Sequence, residues 1–200
     1  MMHLNASKKQ VICSNPDSVF RYFGWPSVTR LADGALAMVA SGFRLKHICP
    51  FGKGIICYSR DEGKTWTAPA VVMDTPLDDR DCGIVNFGQG RAILTSFNNT
   101  IAAQRRWNAS KSGDHTWSSD VRRDFSEAYL RVIEEMNVEE RYIGSTYRIS
   151  EDGGYTFGAV CRSPVTAPHG PCTLADGSLF YVGRRFSKDD SFDDGSEAYI

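Results

Sequence analysis

Four-stranded antiparallel sheets repeated around a common axis, an all-β propeller, are what this sequence of 200 residues predicts. Three observations carry that reading. Apolar runs meet at Asp-Gly turns, strands recur four at a time before the pattern restarts, and one eight-residue turn occurs twice at the same point of the pattern.

The first unit opens with Pro26-Ser27-Val28-Thr29-Arg30-Leu31, turns at Ala32-Asp33-Gly34, and returns through Ala35 to Ala40. Two β-rich runs around Asp-Gly read as a hairpin, because such a tight turn needs the positive φ that glycine adopts without strain. Gly54 to Ser59 reads as a third strand and Ala70 to Met73 as a fourth. A looser hairpin from Gly83 to Leu94, turning at Gly88-Gln89-Gly90, starts the next unit, and Cys172 to Val182, turning at Asp176-Gly177, starts another. The expected blades therefore cover about 20–75, about 80–163 and, incompletely, about 168–200. A propeller ring closes with roughly 4 to 8 blades. The expectation is an incomplete polypeptide, or one that closes its ring with other chains.

One stretch breaks the strand rhythm. Val121, Phe125, Ala128, Tyr129, Val132, Ile133 and Met136 follow helical spacing, and Ser118 or Ser119 suits the cap. This predicts a helical insertion near 119–136, between the second and third strands of the second blade, packed on the propeller's flank or lying over its pocket.

Composition narrows the function classes. Lys plus Arg number 23 against 24 Asp plus Glu, and no long run of like charge occurs, so a nucleic-acid partner is not expected. The longest apolar runs fall far short of the roughly 18 residues of a membrane helix, so no membrane partner is expected either. No signal-like segment opens the chain, which predicts a cytoplasmic protein and leaves secretion open. The six cysteines stand singly, without Cys-x-x-Cys or zinc spacing, and read as reduced residues; neither a metal nor another cofactor is expected.

The repeated turn is Ser59-Arg60-Asp61-Glu62-Gly63-Lys64-Thr65-Trp66, which returns as Ser150-Glu151-Asp152-Gly153-Gly154-Tyr155-Thr156-Phe157. In such a turn the Asp accepts backbone N–H bonds, the Gly takes positive φ, and the closing aromatic packs on the strands. A displaced third copy, Ser110 to Trp117, reads as coincidence. The two copies resemble the Asp-box of sialidase (neuraminidase) propellers, also called the BNR repeat. That resemblance implies a six-bladed fold in which Ser59, Asp61, Gly63, Trp66, Ser150, Asp152, Gly154 and Phe157 are structural.

The resemblance extends to the inner strands. Where the family carries Arg-Ile-Pro, this chain has Gly24-Trp25-Pro26, so one carboxylate-binding arginine is absent unless Arg21 takes its place. Arg44 matches a family arginine, while Cys49 stands at the spacing of the acid/base Asp, with His47 the nearby group suited to proton transfer near neutral pH. Leu77-Asp78-Asp79-Arg80-Asp81-Cys82-Gly83 is similar to the family's Arg-Asp-Pro opening of the second blade, and Pro168-His169-Gly170 to its His-Gly element. The resemblance thus implies His47, Asp79 or Asp81 as catalytic groups and Arg44, Arg80 and His169 as substrate-binding groups. The family's tyrosine nucleophile, its Glu and its remaining arginines belong to later blades.

Three functions stay open on the residues. One is a sialidase-like glycoside hydrolase acting on terminal acidic sugars, whose carboxylate suits arginine forks. Another is a propeller glycosidase or lyase of different specificity that uses histidine. The third is a non-catalytic Asp-box propeller binding glycan or protein. In each a carbohydrate is the leading partner, and the sequence is silent on oligomeric state.

Overall fold

The computed structural model describes residues 9–109 and 119–185. Strands β1 (Tyr22–Arg30), β2 (Leu36–Arg44), β3 (Lys53–Ser59) and β4 (Ala70–Met73) form one antiparallel sheet in the order β1-β2-β3-β4. A second antiparallel sheet repeats that order with β5 (Arg80–Phe87), β6 (Arg91–Phe97), β7 (Ser145–Ser150) and β8 (Cys161–Arg162). The first hairpin turns as expected: Leu31 N–H bonds Ala35 C=O at 2.8 Å, and Gly34 has φ 89°.

Alternation along β2 explains its unbroken apolar run. Ala37 and Val39 join Leu31, Ile56, Met73, Cys82, Ile84 and Leu94 in a core shared by the two sheets. Met38 and Ala40 point the other way, with Ile55 and Cys57, and are covered by Phe23, Phe43, Trp66 and the N-terminal residues Ile12 and Cys13. A strand buried on both faces has no polar face to show. Truncating a side chain as buried as Leu94 or Ile56 costs about 2–5 kcal/mol in such a core.

Among the described residues, three helices separate β6 from β7: α1 (Ile101–Ala109), α2 (Ser119–Glu135) and α3 (Glu139–Tyr142). Only α2 follows from the sequence reading; the suggested capping side chains and the displaced turn copy lie outside the described residues. α1 is started by Thr100, whose Oγ1 accepts the Ala103 N–H at 3.0 Å, and by Glu139, which accepts the Ile101 N–H at 2.8 Å. The buried face of α2 is not the one its spacing suggests. Leu130 and Ile133 pack with Leu77, Ile101 and Ile143, while Val121, Phe125, Val132 and Met136 remain exposed. α1 supplies the partner surface that turns the helix this way.

Beyond β8 the described chain forms two short ribbons. β10 (Cys172–Thr173) pairs with β11 (Leu179–Phe180) around the expected Asp-Gly turn, while β9 (Val165–Thr166) pairs with β12 (Arg184–Arg185). The strand expected near 197–200 lies outside the described residues.

The two Asp-box turns close with matching bonds. Ser59 Oγ accepts the Gly63 N–H at 2.9 Å, and Asp61 accepts the Thr65 N–H at 2.8 Å and its hydroxyl at 2.7 Å. Ser150 Oγ accepts the Gly154 N–H at 2.7 Å, and Asp152 accepts the Thr156 N–H at 2.9 Å and its hydroxyl at 2.6 Å. Trp66 seals the outer face of the first sheet, and Phe157 packs against the core between the sheets. These bonds hold the Asp61 carboxyl down at about 2, led by the Thr65 amide, and lower that of Asp152 too, led by the Thr156 hydroxyl. A seam joins the turns: Tyr58 donates to the Gly154 carbonyl at 2.7 Å, and Tyr155 to Asp33 at 2.6 Å.

Candidate functional site

The opposite ends of the sheets gather the charged and aromatic side chains. Tyr22 pairs with Arg44 and Arg80 with Phe97, which places the starts of β1 and β5 at the same end as the loop 45–52. Both strands break register there, and the residue inside each break is left-handed: Trp25 at φ 54° and Asp81 at φ 49°. His169, at φ 66°, holds the equivalent place before Gly170. Left-handed residues other than glycine cost about 1–3 kcal/mol and persist only where the surroundings fix them. Here Ser41 Oγ accepts the Asp81 N–H at 2.8 Å, and the Asp81 carbonyl accepts the His169 N–H at 3.1 Å. Gly83 permits that approach, since a Cβ on it would lie 2.2 Å from the His169 carbonyl.

Arg44, expected to meet substrate, is instead completely buried. Its guanidinium pairs with Asp78 at 2.5 Å and donates to the carbonyls of Asp79 at 3.0 Å and His47 at 2.8 Å. Burial opposes its charge, and the surrounding groups, Asp78 first and then Cys49 and Asp81, together more than restore it, so its pKa is raised. Gly52 makes the room: a Cβ there would lie 2.0 Å from an Arg44 nitrogen. Asp78 also accepts from Gln104 of α1 at 2.9 Å and from the Cys49 amide at 3.2 Å. Arg44 Nε is left without a hydrogen-bond partner, yet the pair holds its geometry through its other bonds, and losing one partner leaves an uncompensated buried charge. Arg44 and Asp78 therefore tie the loop, β2, β5 and α1 together.

Asp79 also departs from expectation. Its carboxyl faces away from the cluster and accepts the amide and hydroxyl of Thr75. Full burial pushes its pKa up to about 7, against the effect of those two bonds. Cys49, at the family's acid/base spacing, is a buried thiol, and burial pushes its pKa up as well.

His47, Arg80 and Asp81 do come together, around Trp25. The His47 ring lies 4.6 Å from that of Trp25, and Arg80 Nη2 is 3.0 Å from His47 Nε2. Arg80 sits between Trp25 and Phe97, with its Nε 3.8 Å from Asp81 Oδ1. Those two atoms are buried without hydrogen-bond partners. Burial and then the Arg80 charge lower the His47 pKa. His169 joins from the third unit, its Nδ1 2.8 Å from Ser27 Oγ. Two cavities of 190 and 290 Å³ lie on the flank, and neither is lined by His47, Arg80, Asp81 or His169.

Sequence reasoning missed Trp25, Asp78, Phe97 and Gln104 as parts of this site. Trp25 stood in view beside the missing arginine; Phe97 and Gln104 carried no local signal. Among the described residues, no group of three or more His, Cys, Asp or Glu is placed to hold a metal ion, and no helix is long and apolar enough to cross a membrane.

Comparison with known proteins bears on the fold. A Hadza microbial sialidase, Hz136, aligns over 88% of this chain and 36% of its own, at a TM-score of 0.52 and 13% identity. The fold is sialidase-like. A protein of unknown function from Dyadobacter fermentans aligns over 88% of this chain and 44% of its own, at a TM-score of 0.49 and 17% identity. The NanB sialidase of Streptococcus pneumoniae aligns over 44% of this chain and 17% of its own, at 0.38 and 22%. The chain thus spans less than half the length of each of these sialidase-like structures. No family model matches the sequence, and no curated protein does.

Proposed function

We propose that this chain forms the opening blades, about 20–75, 80–163 and 168–200, of a six-bladed sialidase-like propeller that recognises a carbohydrate where Arg80, His47, Asp81 and His169 meet. The facing, unpartnered Arg80 Nε and Asp81 Oδ1 carry this reading. Both atoms are buried, so a ligand reaches them only as the two side chains part; a hydroxyl entering there accepts from Nε and donates to Oδ1, which a sugar supplies and a carboxylate does not. Charge supports the same choice: Arg44 is offset by Asp78 and Arg80 has Asp81 beside it, so neither of these two arginines is left over for an acid group. The reading is therefore a glycan-recognising propeller, with glycosidase chemistry of altered specificity in a longer chain, ahead of hydrolysis of terminal acidic sugars.

Calorimetry against a neutral pyranoside and N-acetylneuraminic acid tests this. The neutral sugar is expected to bind more tightly, and Arg80→Ala to weaken it at least about tenfold, the loss of one good polar contact. Tighter binding of the acidic sugar, or no change in the variant, removes the proposal. The 200-residue chain is expected to leave a fluorogenic sialoside intact, and steady turnover would restore the acidic-sugar hydrolase.

A further inference from the structure

Arg80 is held on three sides. Its guanidinium carbon lies 5.6 Å from the Trp25 ring centre and 5.4 Å from that of Phe97, and Nη2 meets His47 Nε2 at 3.0 Å. The His47 ring rests at 31° to that of Trp25, and its backbone carbonyl is anchored by the buried Arg44. Both the ring and its partner are thus fixed in place. A guanidinium has donors only and does not give up its proton. His47 Nε2 must then accept, and an imidazole that accepts at one nitrogen carries its proton on the other and is neutral.

We infer that Arg80 is a positioning residue for His47, fixing its ring as the neutral tautomer with the proton on Nδ1, so that His47 offers a ligand a hydrogen-bond donor. The surroundings agree: Arg80 and Arg44 disfavour a second positive charge on the ring, while Asp81 and Asp78 oppose them less strongly. His47 is exposed, and among the described residues nothing hydrogen-bonds its Nδ1. The consequence for chemistry is specific. His47 cannot take a proton through Nε2 while Arg80 stays bonded there, so a base at this surface has to be another group. This side-chain geometry is present whether or not a sugar binds.

Long-range proton–nitrogen spectra of the labelled chain test it, with the His47 signals assigned by their loss in His47→Gln. At pH 8 the wild type is expected to show Nδ1 protonated and Nε2 bare. Arg80→Ala is expected to populate the opposite tautomer and to raise the His47 titration midpoint towards the roughly 6.5 of an unperturbed histidine. Arg80→Lys, which restores a donor and a charge, should return both readings towards wild type. A wild-type ring protonated at Nε2 overturns the inference, as does an Arg80→Ala spectrum unchanged in tautomer and midpoint. Should Arg80→Ala fail to fold, the wild-type spectrum decides alone.

Discussion

At one end of the sheets Ser59 with Asp61, and Ser150 with Asp152, close two turns through matching bonds. At the other end Trp25, Asp81 and His169 share a left-handed backbone and no side-chain chemistry. The first end repeats residues because its bonds are local and each needs a particular side chain. The second repeats only a backbone shape, which leaves its side chains free to differ. A scaffold that fixes the shape and releases the chemistry is how one fold serves many functions.

The sharpest way to break this contrast is Asp78→Ala. It leaves the Arg44 charge buried without its carboxylate, and we expect about 3–5 kcal/mol lost in urea unfolding; a cost below about 1 kcal/mol would mean that the charged end is not held by the pair. Next in size is pH. The Asp79 pKa is raised to about 7 in the fold, above its ordinary value of 3.8, so its contribution is present in acid and lost as pH rises between the two. Asp61 runs the opposite way, its contribution present above 3.8 and lost as pH falls towards about 2. Strong acid should loosen the turns, and the rise from acid to neutral pH the strand ends. Asp79→Asn should flatten the loss between those pH values, worth up to about 4 kcal/mol by linkage, as read by thermal unfolding across pH.

Smaller effects sharpen the likeness of the two turns. Ser59→Ala and Ser150→Ala each remove a buried acceptor and are expected to cost about 1–2 kcal/mol, equal to within about 0.5 kcal/mol by urea unfolding. Smallest is a left-handed position where the turns carry different residues, Glu62 at φ 58° in one and Gly153 at φ 88° in the other. Gly153→Ala should cost about 1 kcal/mol. Glu62→Gly relieves the same strain while losing an exposed pair with Arg30, and should leave the unfolding midpoint where it was.

The hairpins and the Asp-box turns were legible in the sequence because their bonds span two to five residues. α1 was not, since Gln104, Arg105 and Arg106 interrupt its apolar pattern and one of its capping groups, Glu139, comes from 38 residues away. The fate of Arg44 was hidden for the same reason: its partner lies in the connection from β4 to β5, and the space for the pair depends on Gly52. Asp79 and Asp81 should share a face by alternation, but the register break at Asp81 separates them. The loop and strand entries that carry His47, Arg80, Asp81 and His169 were readable, whereas the packing partners that bury Arg44 and Asp79 were not.

Gly83 sets the gauge of this assembly. Any carbon in place of its hydrogen must push residues 168–170 outward, carrying off the link that Ser27 makes across to His169. The width of the gap between neighbouring ribbons, and so the size of any guest seated there, is metered by one absent methyl group.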